Sequence, residues 1–130
     1  MGGKEIKVYR GAGKLQHVIE IGQHRILTDE GPMYGGEDTG PDPHALLAAS
    51  LGACTALTIT LYARRKQFDL QDVQVRVEHK QEGDAYVLTR HIHYIGNLDA
   101  EQRTRMTEIA NKCPIHKVLS GEIRIETQEE

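Results

Sequence analysis

The stretch from Asp42 to Lys66 reads DPHALLAASLGACTALTITLYARRK, and its reading decides the fold. Asp followed by Pro opens a helix: the Asp side chain can accept from the first unpaired N–H groups, and Pro at the first helical position lacks an N–H that would go unpaired anyway. Arg64, Arg65 and Lys66 close it, where cations complement the negative end of the helix. The spacing therefore predicts one helix from about Pro43 to Lys66. Between Ala45 and Tyr62 there is no charge. That length approaches a membrane span, but many of the residues are Ala, Gly, Ser or Thr, and no second segment resembles it. A buried central helix, wrapped by sheet and approached closely by neighbouring backbone, is the expectation.

Upstream, residues 4–28 alternate weakly, with Ile6 and Val8, then Ile19 and Ile21, then Ile26, punctuated by glycines. Short strands joined by tight turns fit that pattern. Residues 29–43, rich in Gly, Pro and acidic side chains, form a long loop, and long loops in small domains tend to be functional or mobile. Downstream, Val73, Val75 and Val77 alternate with polar residues, and Tyr86, Leu88, Ile92 and Tyr94 repeat the period after a turn at Glu82-Gly83-Asp84. This is a hairpin with one wet face. Asp99 caps a second helix with Met106, Ile109 and Ala110 on its apolar side, ending near Lys112. Cys113-Pro114 starts a short third helix through Leu119, stopped by Gly121, and Ile123 and Ile125 suggest a last strand. The order βββ-α-ββ-α-α-β is an α+β pattern in a single domain over 1–130.

Composition narrows the function. With 27% charged and 38% hydrophobic residues the chain is neither disordered nor membrane-like in bulk, and a net charge of −3 gives no reason to expect nucleic acid. The absence of Trp and the single Phe argue against a stacking platform for single strands. The N-terminus lacks the apolar core of a secretory signal, so a cytoplasmic location is expected, with no membrane partner. In a reducing compartment two cysteines are more often buried hydrophobes, ligands or catalysts than a structural disulfide.

Cys113 precedes Pro114 at a helix N-cap, with His116 and Lys117 one turn on, a setting that favours a thiolate; the bland alternative is a buried capping cysteine. Cys54 lies within the uncharged helix, flanked at one turn by Ser50 and Thr58. Apolar surroundings keep a thiol protonated, so a reactive Cys54 requires a cation from elsewhere in the fold. His91 and His93 share a strand face at a possible ligand spacing, but no third ligand accompanies them, and neither Ser50 nor Ser120 sits in a nucleophile-elbow pattern.

The words around the cysteines carry more. The run from Gly35 through Pro41-Asp42-Pro43-His44 and Ala48-Ala49-Ser50-Leu51-Gly52-Ala53-Cys54-Thr55 resembles the first cysteine motif of the OsmC/Ohr family, and Cys113-Pro114-Ile115-His116-Lys117-Val118-Leu119 resembles the second. Thr28-Asp29-Glu30, Tyr62-Ala63 and Gln102-Arg103 also fit. The resemblance implies an intertwined homodimer with antiparallel sheets wrapped around two long central helices and active sites at the subunit interface. It implies a thiol-dependent reductase of organic hydroperoxides, with Cys54 the peroxidatic and Cys113 the resolving cysteine, no cofactor and no metal, and a dithiol as reductant. Leu47, Leu51 and Leu61 would supply apolar surface for the peroxide tail. Family members that confer hydroperoxide resistance carry a glutamate ten residues before the first cysteine; here that place is taken by His44. Their activating arginine comes from the N-terminal strands, where Arg25 is the first choice and Arg10 the second. The His-Lys form of the second motif is similar to a branch with less defined substrates. The alternative to turnover is a dimer that binds an apolar ligand at its interface.

Overall fold

Pairing of the short N-terminal strands begins the chain's architecture. The computed structural model describes residues 3–130, which divide into two compact units, one running up to Leu47 and the other Ala48–Glu130. In the first unit β1 (Ile6–Arg10), β2 (His17–Ile21) and β3 (His24–Thr28) form an antiparallel sheet in that order. Gly22, with φ +60°, makes the two-residue turn between β2 and β3. Across it Glu20 faces Arg25 in register and pairs with it at 3.2 Å, while Tyr9 donates to the same carboxylate.

The loop that follows is ordered by one buried carboxylate. Asp29, 3% exposed, accepts from the backbone N–H of Glu30 (2.7 Å), Glu37 (3.3 Å) and Thr39 (3.1 Å) and from the Thr39 hydroxyl. Gly36 packs so closely that a Cβ there would fall on the Glu30 carbonyl. Lys14 N–H donates to Glu37, and Gln16 to the Thr39 hydroxyl, tying the loop to the β1–β2 turn. The Thr39 hydroxyl first, then the backbone donors, hold the Asp29 carboxyl down at about 2. Asp42 then accepts from Ala45 N–H at 2.9 Å and starts α1 (Pro43–Lys66), with the bounds the sequence predicts.

In the second unit α1 ends in a Schellman arrangement. Phe68 N–H reaches the Ala63 carbonyl, Gln67 N–H reaches Arg64, and Gln67 takes the left-handed conformation at φ 59° usually left to glycine. The Phe68 ring meets Tyr62 edge-on at 5.9 Å, the apolar contact that accompanies this motif. A hairpin follows, β4 (Asp69–Glu82) and β5 (Ala85–Asn97), longer than the alternation suggests and turning at Gly83. Asp99 and Gln102 form a reciprocal capping box for α2 (Ala100–Ala110), and α3 (Pro114–Ser120) starts from Cys113. Ile59 and Ala63 of α1, Val73 and Tyr94 of the hairpin, and Met106 and Ala110 of α2 make the core.

One chain covers only one face of α1, through Ala48, Leu51, Thr55, Ile59 and Ala63; Leu57 and Leu61 remain 65% and 56% exposed. A two-stranded hairpin is too narrow to wrap a helix. By length and composition α1 also meets the measure of a membrane span, as the core helix of a soluble protein does. The last strand does not form. Residues 122–130 pair with no strand, and Ile123 and Ile125 are 56% and 87% exposed. Alternation makes a segment fit for a ladder, but a ladder needs an edge that donates and accepts.

Candidate functional site

Cys113 is fully buried where α2 passes into α3. Its N–H reaches the Ala110 carbonyl (3.3 Å), and its sulfur accepts from His116 N–H (3.4 Å). The Cys54 thiol, half-buried on α1, stands within hydrogen-bonding reach of Cys113 and 3.9 Å from the Thr58 hydroxyl. The fold thus joins two cysteines that sequence places far apart. Burial pushes the Cys113 thiol up, but the hydrogen bonds of Cys54, of the His116 and Ile115 N–H groups and of the Thr55 hydroxyl outweigh it, and Cys113 lies below the ordinary thiol range. A thiolate here is the nucleophilic form.

One cation that bonds the groups around Cys113 was not singled out from the sequence. Arg90 lies on β5 between Leu88 and Ile92, at the alternating position that faces the helices. One terminal nitrogen of its guanidinium donates to the Thr55 hydroxyl (3.1 Å) and the Ala110 carbonyl (3.0 Å). The other donates to Asn111 Oδ1 (3.1 Å) and His116 Nδ1 (3.0 Å). A guanidinium only donates, so His116 Nδ1 is an acceptor and the ring proton sits on Nε2. All four acceptors are uncharged. The signal was present: a period of two that reads Tyr86, Leu88, then Ile92 and Tyr94 has its gap at Arg90, a charge on the apolar face of a hairpin.

Beside these groups opens a cavity of about 350 Å³, lined by Leu51, Val87, Leu88 and Leu119 with Arg90 and His116. Of the three leucines expected from sequence, Leu51 lines it; Leu61 points to the exposed side of α1. Arg25, Arg10 and His44 belong to the first unit. Arg25 is 72% exposed at its side chain and paired with Glu20, Arg10 donates to the carbonyls of Gly13 and Lys14, and His44 is exposed in the first turn of α1. Among the described residues no group of three or more His, Cys, Asp or Glu side chains is placed to hold a metal ion. His91 instead bonds Glu78 at 2.7 Å.

Residues 35–128 match the family model described as OsmC-like protein. Several solved structures share the fold. A Psychrobacter arcticus protein provisionally named for osmotic-stress induction and detoxification is 24% identical, with a TM-score of 0.76 over 91% of this chain and 89% of its own. An organic hydroperoxide resistance protein of Legionella pneumophila is 22% identical, TM-score 0.69, over 93% and 91%. One from Elizabethkingia anophelis is 18% identical, TM-score 0.68, over 93% and 90%. No curated protein matches the chain by sequence.

Proposed function

This chain belongs to the OsmC-like protein family, and on that premise we propose that it is a thiol-dependent reductase of organic hydroperoxides. The observation that carries the reading is the approach of the Cys54 and Cys113 thiols to hydrogen-bonding reach, beside the half-buried Arg90 guanidinium. Two structural neighbours named for organic hydroperoxide resistance support a role in peroxide stress.

The chemistry follows from the two positions. Cys54, the less buried thiol, attacks the terminal peroxide oxygen as a thiolate; the O–O bond breaks, the alkoxide leaves and takes a proton, and Cys54 becomes a sulfenic acid. Cys113, already in contact and with its thiolate favoured, then attacks the sulfenic sulfur. The S–S bond forms, the S–O bond breaks, and hydroxide leaves and is protonated to water. An external dithiol returns both cysteines to thiols. The cavity lined by Leu51, Val87, Leu88 and Leu119 suits the apolar part of a hydroperoxide. Arg25 is our choice of activating arginine, with Glu20 supplying the negative partner that His44 does not. His44 modulates the site without being essential, so His44→Ala is expected to keep activity that Cys54→Ser loses. The uncovered apolar face of α1 and the unpaired isoleucines of the C-terminal segment support a homodimer, which sedimentation at micromolar concentration tests; a stable folded monomer refutes it.

Serine variants test the division of labour. Cys113→Ser is expected to consume about one equivalent of hydroperoxide and to accumulate a trappable Cys54 sulfenic acid. Cys54→Ser is expected to consume essentially none. Oxidation of Cys113 in the absence of Cys54 would exchange the roles, and inertness of the wild-type protein would favour a dimer that binds an apolar ligand without turnover.

A further inference from the structure

Arg90 touches three groups that each touch Cys113. Thr55, whose hydroxyl receives one guanidinium N–H and gives its own proton to the Leu51 carbonyl, also lies beside the Cys113 sulfur. The Ala110 carbonyl receives both an Arg90 N–H and the Cys113 N–H. His116 accepts from Arg90 at Nδ1 and gives its own N–H to the Cys113 sulfur. These contacts come from α1, the end of α2 and α3, separated from Arg90 by 35, 20 and 26 residues. Four of the five guanidinium donors are used, and none meets a carboxylate. A half-buried cation without an anion is costly unless something nearby becomes negative; the ionisable sulfur one contact away is that group.

We propose that Arg90 is a positioning residue for Cys113, holding Thr55, the Ala110 carbonyl and His116 around the sulfur in the arrangement from which Cys113 closes on Cys54. The role rests on the two-cysteine reading given above and names a residue for its second step. In that step Cys113 is oxidised and the sulfenic sulfur of Cys54 reduced as S–S replaces S–O. Arg90 exchanges no electrons; it fixes where the attacking sulfur sits. Lysine could supply the charge but only a single flexible point donor, so the fork matters.

The test uses the full-length protein with Arg90→Met and Arg90→Lys and has two arms. In the first, thiolate absorbance near 240 nm is titrated against pH in the Cys54→Ser background, with no peroxide present. Arg90→Met is expected to move the Cys113 titration up by about one pH unit, and Arg90→Lys by less. In the second, tert-butyl hydroperoxide is added to protein with both cysteines, and disulfide closing is timed against peroxide uptake. The ratio of closing to uptake is expected to fall about tenfold or more in both variants, since a small misplacement of reacting groups costs that much. An unmoved titration, an unchanged ratio, or full rescue of closing by lysine would overturn the proposal. If Arg90→Met does not fold, Arg90→Lys carries both arms; if neither folds by circular dichroism, Arg90 is a structural residue and the proposal fails. A wild-type protein that ignores peroxide removes the reductase reading, and the first arm then decides Arg90 by itself.

Discussion

Two charges organise this molecule, the buried Asp29 and the half-buried Arg90, and they do so differently. Asp29 gathers its donors from one, eight and ten residues away, all within its own loop. Arg90 gathers its acceptors from 20 to 35 residues away, on three helices and the turn after one of them. The carboxylate is satisfied by local N–H groups and needs nothing else; its effect ends with the shape of the loop. The guanidinium is satisfied by neutral oxygens and a ring nitrogen, keeps an unbalanced charge, and sits one contact from a thiol that can ionise. A charge that local backbone fully satisfies is a structural clamp, whereas one that collects distant neutral partners beside a titratable group marks chemistry.

The largest expected effect on stability probes the ground beneath Arg90. Met106 is fully buried and holds α2 against the hairpin, so Met106→Ala is expected to cost about 2–5 kcal/mol by denaturant unfolding. Because Arg90 bonds the last carbonyl of α2, the same change should disturb the Cys113 titration and leave amide exchange in the 29–41 loop as it was. Equal loss of protection in both places would erase the distinction between the regions.

Asp29→Ala asks the converse. It strands the N–H groups of Glu30, Glu37 and Thr39, and their amide exchange should quicken by about tenfold or more with the Cys113 titration unmoved. Acid gives a milder version of this loss. The Asp29 carboxyl titrates at about 2 in the fold, below its ordinary 3.8. Its contribution is therefore complete above about pH 4 and is lost as pH falls toward 2. Loop protection followed by hydrogen exchange between those values checks the sign; a loop unchanged at pH 2 contradicts it. Cys113 obeys the same rule at the other end of the scale. Its thiol is lowered below 9.0, so its contribution is present above the ordinary value and fades as pH falls through the lowered one.

The smallest effect is a control. Gln67 holds a left-handed conformation at the end of α1. Gln67→Gly should raise stability by up to ~1 kcal/mol and alter neither region's chemistry. A fall in stability would mean that the Gln67 side chain has a role its backbone does not reveal.

How much of this was legible in sequence depended on whether the cause was local. Asp42-Pro43 and the terminal Arg64-Arg65-Lys66 bound α1 correctly because caps and end charges act within a turn. Asp99 with Gln102, and Cys113 with Pro114, marked their helices for the same reason. The final strand was misread because Ile123 and Ile125 state a period but not the edge they would pair with. Arg90 was missed because a two-residue period was followed across it as though the position were blank. A charge at an inward register position is itself the signal.

If Cys54 and Cys113 act as one redox pair, their oxidation has a fixed stoichiometry. Fully reduced protein is mixed with a single equivalent of tert-butyl hydroperoxide, remaining thiols are counted, and the cross-linked peptides are identified by mass spectrometry. Both thiols are expected to disappear together for each peroxide consumed, leaving a Cys54–Cys113 disulfide. Two thiols left intact beside unspent peroxide, or a disulfide joining any other pair of sulfurs, would contradict it.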